Sequence, residues 1–89
     1  MEFVWDPAKA ETNWQKHRVR FADTATALDD PFALTIEDHR HHEQRFVTLG
    51  ADSTGHLLVV VHTYTEDDNT RIISARKATP SEVAEYEKA

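Results

Sequence analysis

The chain contains no cysteine and no long apolar run, and both absences limit what it can be. Without cysteine it has no disulfide bond and no thiolate metal site, a composition that fits a reducing compartment. Its longest uninterrupted apolar run, Leu57 to Val61, is far too short to span a bilayer. Residues 1–6 lack the basic and then apolar layout of a signal peptide. We therefore expect a soluble cytoplasmic protein with no membrane partner.

Basic residues are also scarce: the chain has ten Lys and Arg but sixteen Asp and Glu, so its formal net charge is -6. Such a balance repels a polyanion and argues against tight non-specific binding of nucleic acid. The distribution is uneven, however, since residues 12–22 and 70–77 each contain three Lys or Arg and no acid. Two basic segments in an acidic chain indicate a local anion site rather than a basic surface.

The second basic segment is the most informative stretch of the chain. The β-branched residues 72–73 predict a strand, and Arg71 and Arg76 place guanidinium groups in it. Guanidinium donors match the oxygens of a phosphate in pairs, so such a strand can hold an anionic ligand. The two arginines are five residues apart, and side chains alternate along a strand, so we expect them to point to opposite faces. Arg76, at the strand end beside Lys77, is then the better phosphate ligand.

Local signals predict three helices and five strands. Asp6-Pro7 is an N-cap followed by proline at the first helical position, and Thr79 with Glu82 forms a capping box. The predicted helices cover Pro7 to Lys16 or His17, Phe21 to Leu28, and Pro80 to Lys88. The predicted strands are residues 3–5, 32–38, 44–49, 57–61 and the Arg71 strand, of which 57–61 is apolar on both faces and is expected at the centre of the sheet.

This order of elements, β-α-α-β-β-β-β-α, predicts an α+β fold. Four consecutive strands joined by short turns indicate an antiparallel sheet with the helices packed on it. Eighty-nine residues are enough for one domain only, so we expect a single domain over residues 1–89. The sheet edges that such a meander leaves open allow a homodimer.

With that order in place, an ordered set of short motifs resembles the BrnT family of bacterial toxins over nearly the full length. The matching pieces are Trp5-Asp6 with Lys9, Asn13 with Lys16-His17, Val19 and Phe21, Asp30-Pro31, Arg45 with Gly50, Leu58-Val59-Val60 with Thr63, Arg71-Ile72-Ile73-Ser74-Ala75-Arg76 with Ala78, and Tyr86-Glu87. The resemblance implies a RelE/ParE-like ribonuclease fold and a toxin that cuts RNA and inhibits translation. It also implies neutralisation by a cognate BrnA-like ribbon-helix-helix antitoxin, through which alone the complex would bind operator DNA.

Metal-independent RNA cleavage needs a base for the 2′-hydroxyl, an acid for the leaving oxygen and cations for the phosphorane charge. We predict catalytic roles for Arg76, His17, Lys16 and Arg71, with no metal and no cofactor. Substrate-binding roles are predicted for Lys9, Arg45 and Lys77. Two alternatives stay open: His17 can instead cap the first helix, and either catalytic arginine can pair with a nearby carboxylate.

Other residues have competing interpretations. Trp5 and Trp14 could stack on bases, although we favour core packing for both. Tyr86 could donate a proton, although we favour an anchor for the last helix. The histidines at 39, 41 and 42 with Glu43 are a candidate metal site, but loop histidines are usually solvated.

The chain departs from the family pattern in its last helix and in the hairpin before Arg71. Family members usually carry basic residues there, whereas this chain has three glutamates in residues 81–89 and an acidic turn at 66–68. This difference supports a second hypothesis from another class. The chain would then be a BrnT-like binding module with weakened catalysis that acts as antitoxin partner and co-repressor.

Overall fold

The computed structural model describes residues 2–89; Met1, which belongs to the segment compared above with a signal peptide, lies outside the described residues. The elements follow the predicted order. They are β1 (Phe3–Val4), α1 (Pro7–His17), α2 (Phe21–Leu28), β2 (Leu34–Asp38), β3 (Arg45–Ala51), β4 (Leu57–Tyr64), β5 (Thr70–Lys77) and α3 (Pro80–Lys88). No helix within residues 2–89 is long and apolar enough to cross a membrane.

The helix ends follow the capping chemistry of the sequence. Asp6 accepts a hydrogen bond from the backbone N–H of Ala8 at the start of α1. At the start of α3, Thr79 and Glu82 form both bonds of the capping box. Each bond satisfies a backbone N–H that has no partner inside its own helix.

The sheet is mixed rather than antiparallel, which corrects the prediction. Its order is β1-β5-β4-β3-β2, with the apolar strand β4 at the centre as expected. Strands β2 to β5 form the predicted antiparallel meander. The two-residue strand β1 joins the outer edge of β5 in parallel, because α1 and α2 return the chain across the sheet before β2 begins. Phe32, expected in β2, precedes the strand and is 73% exposed.

The two faces of the sheet have different roles. One face, called here the core face, carries Leu58, Val60, Ile72 and Ala75 and packs against α1 and α2. The close approach of α2 to β3 depends on Gly50, where a Cβ would lie 2.3 Å from the carbonyl oxygen of Ala27. The opposite face, called here the open face, is covered only in part by α3, beside Leu34.

Candidate active site

A β-bulge in β5 brings Arg71 and Arg76 to the same face, so the predicted opposite orientation was wrong. Arg71 lies opposite Thr63 and Arg76 opposite Val59, four residues apart on β4 and therefore on one face of that strand. The register shifts between these pairs, so β5 contains one residue more than β4 over the same length. Both arginines belong to the open face. At about 3.3 Å per residue, their backbones are roughly 13 Å apart.

α1 is fixed along the edge of β5 by the buried side chain of Asn13. Its Nδ2 donates to the carbonyl oxygens of Ala75 (2.9 Å) and Val19 (3.0 Å), and its Oδ1 accepts from the N–H of Ala75 (3.0 Å). β1 pairs only with Thr70 and Arg71, so the amide supplies the partner that Ala75 would otherwise lack. This contact determines how the residues of α1 lie against β5.

A groove of about 330 Å³ runs between α1 and β5. Lys9, Lys16 and His17 line it from the helix, and Ile73 and Ser74 line it from the strand. Three residues predicted for the site from sequence therefore come together here. None of the ion pairs within residues 2–89 involves Lys9 or Lys16.

A second groove, of about 370 Å³, lies on the open face and includes Arg76 and Arg40. His17 and Ser74 line this groove as well as the first one. The two grooves therefore meet at His17, and lysines line one groove while two arginines line the other. An imidazole placed among cations suits proton transfer beside an anionic group.

Arg76 is held by a carboxylate of α3. Its Nη1 and Nη2 donate to the two carboxylate oxygens of Glu82 at 2.8 and 3.0 Å. The same carboxylate accepts from the N–H of Thr79, as part of the capping box. The Arg76 guanidinium, together with the Thr79 N–H, lowers the pKa of Glu82 to about 2. Glu82 is therefore ionised at neutral pH and joins the start of α3 to Arg76.

Arg71 and Arg45 form a separate group at the other end of the open face. Both donate to Glu43, Arg71 at 2.7 Å and Arg45 at 3.3 Å, and the Arg71 hydrogen bond is the main cause of the lowered pKa of Glu43. Lys77 lies opposite Leu58, which places it on the core face, away from Arg76. The structure thus brings together Lys9, Lys16, His17 and Arg76 but not Arg71, Arg45 and Lys77.

The remaining candidates have structural contacts. In the loop after β2, His39 lies near Glu37 and His41 near Asp38, and no group of three or more metal-ligating side chains occurs within residues 2–89. The hydroxyl of Tyr86 donates to Asp30, which confirms the anchoring interpretation for α3.

The tryptophans are not in the core, contrary to expectation. Trp5 is 37% exposed and packs its ring edge-on against Phe21. Trp14 is half-buried, with the guanidinium of Arg20 4.1 Å from its ring centroid.

Sequence reasoning missed two residues that line the grooves and one that holds a groove residue. Ser74 and Arg40 line them, and Glu82 holds Arg76. The capping box predicted the contact of Glu82 with Thr79 at the start of α3. Its contact with Arg76 depends on the position of Glu82 beside the end of β5, which the sequence does not reveal. For Ser74 the available signal was its spacing, because a residue two places before Arg76 lies on the same face of the strand as Arg76.

The family model for the ribonuclease toxin BrnT of type II toxin-antitoxin systems matches residues 5–82. The chain belongs to the BrnT family. A crystal structure of the Brucella abortus ribonuclease toxin BrnT superposes with a TM-score of 0.68 at 23% sequence identity, over 89% of this chain and 97% of that one. No curated protein matches the sequence. The α+β fold of residues 2–89, with a five-stranded mixed sheet and three helices, thus matches that crystal structure, and the family implies an antitoxin partner.

Proposed function

We propose that this BrnT-family chain is a metal-independent endoribonuclease whose cleavage site is the junction of the two grooves at His17. One observation carries the proposal. His17 and Ser74 line both grooves, so Lys9 and Lys16 of one groove and Arg76 of the other lie along one accessible surface that is continuous at His17. Lysine and arginine can neutralise the charge that develops on a phosphorane, and the imidazole can move the proton.

The reaction is an attack of the RNA 2′-oxygen on the adjacent phosphorus. A base removes the 2′-hydroxyl proton, the bond from the 2′-oxygen to phosphorus forms, and the bond from phosphorus to the 5′-oxygen breaks. The 5′-oxygen takes a proton, which leaves a 2′,3′-cyclic phosphate and a 5′-hydroxyl end. His17 is the proton-transferring group in this scheme, with Arg76 and Lys16 beside the reacting phosphate and Arg71 farther along the open face. Lys9, Arg45 and Lys77 bind flanking phosphates.

Cleavage of cellular RNA in this way inhibits translation, and we infer a cytoplasmic setting. The antitoxin partner is a BrnA-like ribbon-helix-helix protein, which supplies the contact to operator DNA. We also propose that residues 1–89 form a single domain and that its fold is related to that of the RelE/ParE-like ribonucleases. β2 has no partner on its outer side within residues 2–89, which leaves an edge for a homodimer in the complex.

The test is cleavage of RNA by the purified chain in EDTA, with product ends analysed for 2′,3′-cyclic phosphate. Removing a positioned acid, base or charge-stabilising group typically costs about 100-fold or more in rate, so we expect such losses for His17→Ala and Arg76→Ala. The exposed His56 and Lys88 lie outside both grooves, so His56→Ala and Lys88→Ala are the matched controls. Equal rates in test and control variants would refute the assignment of the site, and absence of cleavage by the unsubstituted chain would refute the activity.

The ion pairs on the open face favour a second candidate, a weakly active BrnT-like module that serves as antitoxin partner and co-repressor. Glu82 occupies the guanidinium of Arg76, and Glu43 occupies that of Arg71, where a phosphate would have to bind. Glu82→Gln removes the competing charge and keeps a residue type that a capping box accepts. A partly exposed ion pair contributes up to about 1 kcal/mol, so the variant should bind RNA up to about fivefold more tightly. Arrest of growth by Glu82→Gln but not by the unsubstituted chain would select the second candidate.

A further inference from the structure

A third groove, of about 270 Å³, lies on the other side of α1 and contains both tryptophans of the chain. Trp5, Trp14 and Arg20 line it, with Ala10 and Phe21 beneath them. Neither indole belongs to the core cluster. Part of the indole surface is accessible, because Trp5 is 37% exposed and Trp14 is half-buried.

Two guanidinium groups lie over one of these rings. The guanidinium carbons of Arg20 and Arg18 are 4.1 and 5.4 Å from the centroid of Trp14. Arg18 adopts the left-handed conformation at the end of α1, with a φ of 57°, which turns the chain so that the two arginines flank the helix end. A guanidinium plane over an indole presents a further flat cationic surface.

Among residues 2–89, the cations of this region have no carboxylate partner, unlike those of the open face. Within residues 2–89, the ion pairs include Arg71 and Arg76 but no Lys or Arg of residues 12–22. Glu11, the acid that lines the groove, accepts a hydrogen bond from Gln15 at 3.0 Å. Both Arg18 and Arg20 contact the ring of Trp14, but neither has a carboxylate partner within residues 2–89, so both can still receive an anionic ligand from solution.

This groove is close to the proposed cleavage site. Trp14 and His17 are three residues apart on α1, and side chains at this spacing are neighbours with Cβ atoms about 5–6 Å apart. Successive stacked nucleotides rise about 3.4 Å each. A strand of RNA with one phosphate at His17 thus places a base of a nearby nucleotide beside Trp14.

We propose that the groove lined by Trp5, Trp14 and Arg20 is a stacking subsite for a nucleobase of single-stranded RNA that flanks the scissile phosphate. The inference rests on the proposed ribonuclease function and adds to it a site for the neighbouring nucleotide. Planar bases stack on indole and guanidinium planes with little dependence on sequence, while the unpaired Arg18, Arg20 and Lys16 bind the phosphates between the subsites.

The experiment uses a 2′-O-methyl oligoribonucleotide of about ten nucleotides, whose blocked 2′-oxygen cannot attack, so that binding is separated from cleavage. Because both tryptophans line the groove, their fluorescence reports on this site directly. We expect saturable quenching by the intact oligonucleotide. An oligonucleotide of equal length and charge with abasic positions should bind about tenfold more weakly and quench little.

Variants locate the effect. Trp14→Ala and Arg20→Gln should each reduce the preference for the base-containing strand, while Trp14→Phe should keep most of it. Phe32→Ala, which removes an aromatic side chain that is 73% exposed and outside the groove, is the matched control. The comparison of intact and abasic strands on the unsubstituted chain requires no variant, so the test does not depend on whether Trp14→Ala folds.

Equal affinity for intact and abasic strands would overturn the inference. So would a Trp14→Ala variant that binds RNA normally but loses the antitoxin, because the groove would then be a protein interface. The proposed function fails separately, if base-dependent binding is present but RNA is not cut in EDTA. Conversely, if the chain cuts RNA but shows no base-dependent binding, the stacking subsite is refuted and the ribonuclease function is supported.

Discussion

Replacing Asn13 by aspartate tests the contact that attaches α1 to the sheet. The substitution keeps the size of the side chain and the acceptor for the N–H of Ala75. It removes the two hydrogen bonds that Nδ2 donates to the carbonyl oxygens of Val19 and Ala75, and it points carboxylate lone pairs at those oxygens. Asn13 is only 6% exposed, so water can replace little of what is lost.

The expected cost is at least about 2 kcal/mol in the free energy of unfolding at pH 7. Each buried polar group that loses its partner costs about 1–3 kcal/mol, and two carbonyl groups are affected before any repulsion is counted. A domain of this length has a total stability of roughly 4–13 kcal/mol, so the loss is a large part of it. RNA cleavage should fall as well, because α1 carries Lys9, Lys16 and His17.

The loss should also depend on pH. Next to two carbonyl oxygens the introduced carboxyl has a pKa above its unfolded value of about 3.9, because its charged form is disfavoured. The penalty is therefore complete well above the folded pKa and shrinks as the pH falls through it, where the protonated group can donate one bond again. Urea unfolding at pH 7 and pH 4.5 measures both effects, each relative to the unsubstituted chain.

Gln15→Glu makes the same amide-to-acid change at an exposed position of α1 and should cost no more than about 0.5 kcal/mol. A cost below about 1 kcal/mol for Asn13→Asp at pH 7 would refute the reasoning. It would mean that the edge of β5 at Ala75 binds water and that α1 is held by other contacts.

Three further perturbations test the sheet and its flanks. Gly50→Ala should cost about 1–3 kcal/mol in urea unfolding, because the new Cβ would lie 2.3 Å from the carbonyl oxygen of Ala27 and backbone must move. Burial lowers the pKa of His62 to about 4, so the folded chain should lose about 3 kcal/mol between pH 6.5 and 4, a loss absent in His62→Gln. Hydrogen bonds from the Ala51 N–H and the Tyr86 hydroxyl lower the pKa of Asp30. Tyr86→Phe should therefore raise that pKa, which NMR titration measures. The variant should also be destabilised more above pH 4 than below it.

The contrary outcomes are specific to each case. A Gly50→Ala variant as stable as the unsubstituted chain would mean that α2 can move away from β3 at no cost. A stability profile of His62→Gln that falls as steeply as the parent profile would assign the acid loss to carboxylates. An unchanged Asp30 titration in Tyr86→Phe would mean that the Ala51 N–H alone sets the pKa of that carboxyl.

The helices were predictable because their ends depend on neighbouring residues. Asp6-Pro7 and the pair of Thr79 and Glu82 specify where α1 and α3 begin, and the structure agrees at both places. The parallel pairing of β1 was not predictable in the same way. It joins Phe3 to Thr70 across most of the chain, and a two-residue strand carries no periodic signal.

The bulge in β5 had no local signal either. Alternation alone puts Arg71 and Arg76 on opposite faces, and only the pairing with β4 shows the extra residue. Likewise the convergence of Lys16 and His17 with Ser74 depends on the contact of Asn13 with Ala75, 62 residues away in sequence. The sequence pattern supplied the residue types of the candidate site, while long-range contacts decide which of them meet.

The ion pairs of the basic residues explain how a chain with a net negative charge could bind RNA locally. Arg71 and Arg76, on the open face, each have a carboxylate partner, so the RNA substrate that we propose would have to displace Glu43 or Glu82 to reach them. Lys9, Lys16 and the arginines of residues 12–22 have no ion pair within the described residues. Only cations that are not already neutralised add to the salt-dependent attraction of a polyanion. We therefore expect RNA to bind first along α1 and to reach Arg76 only when a phosphate is held at His17. An overall charge of -6 is then compatible with a nucleic-acid substrate at this site. The same charge disfavours binding of RNA elsewhere on the surface.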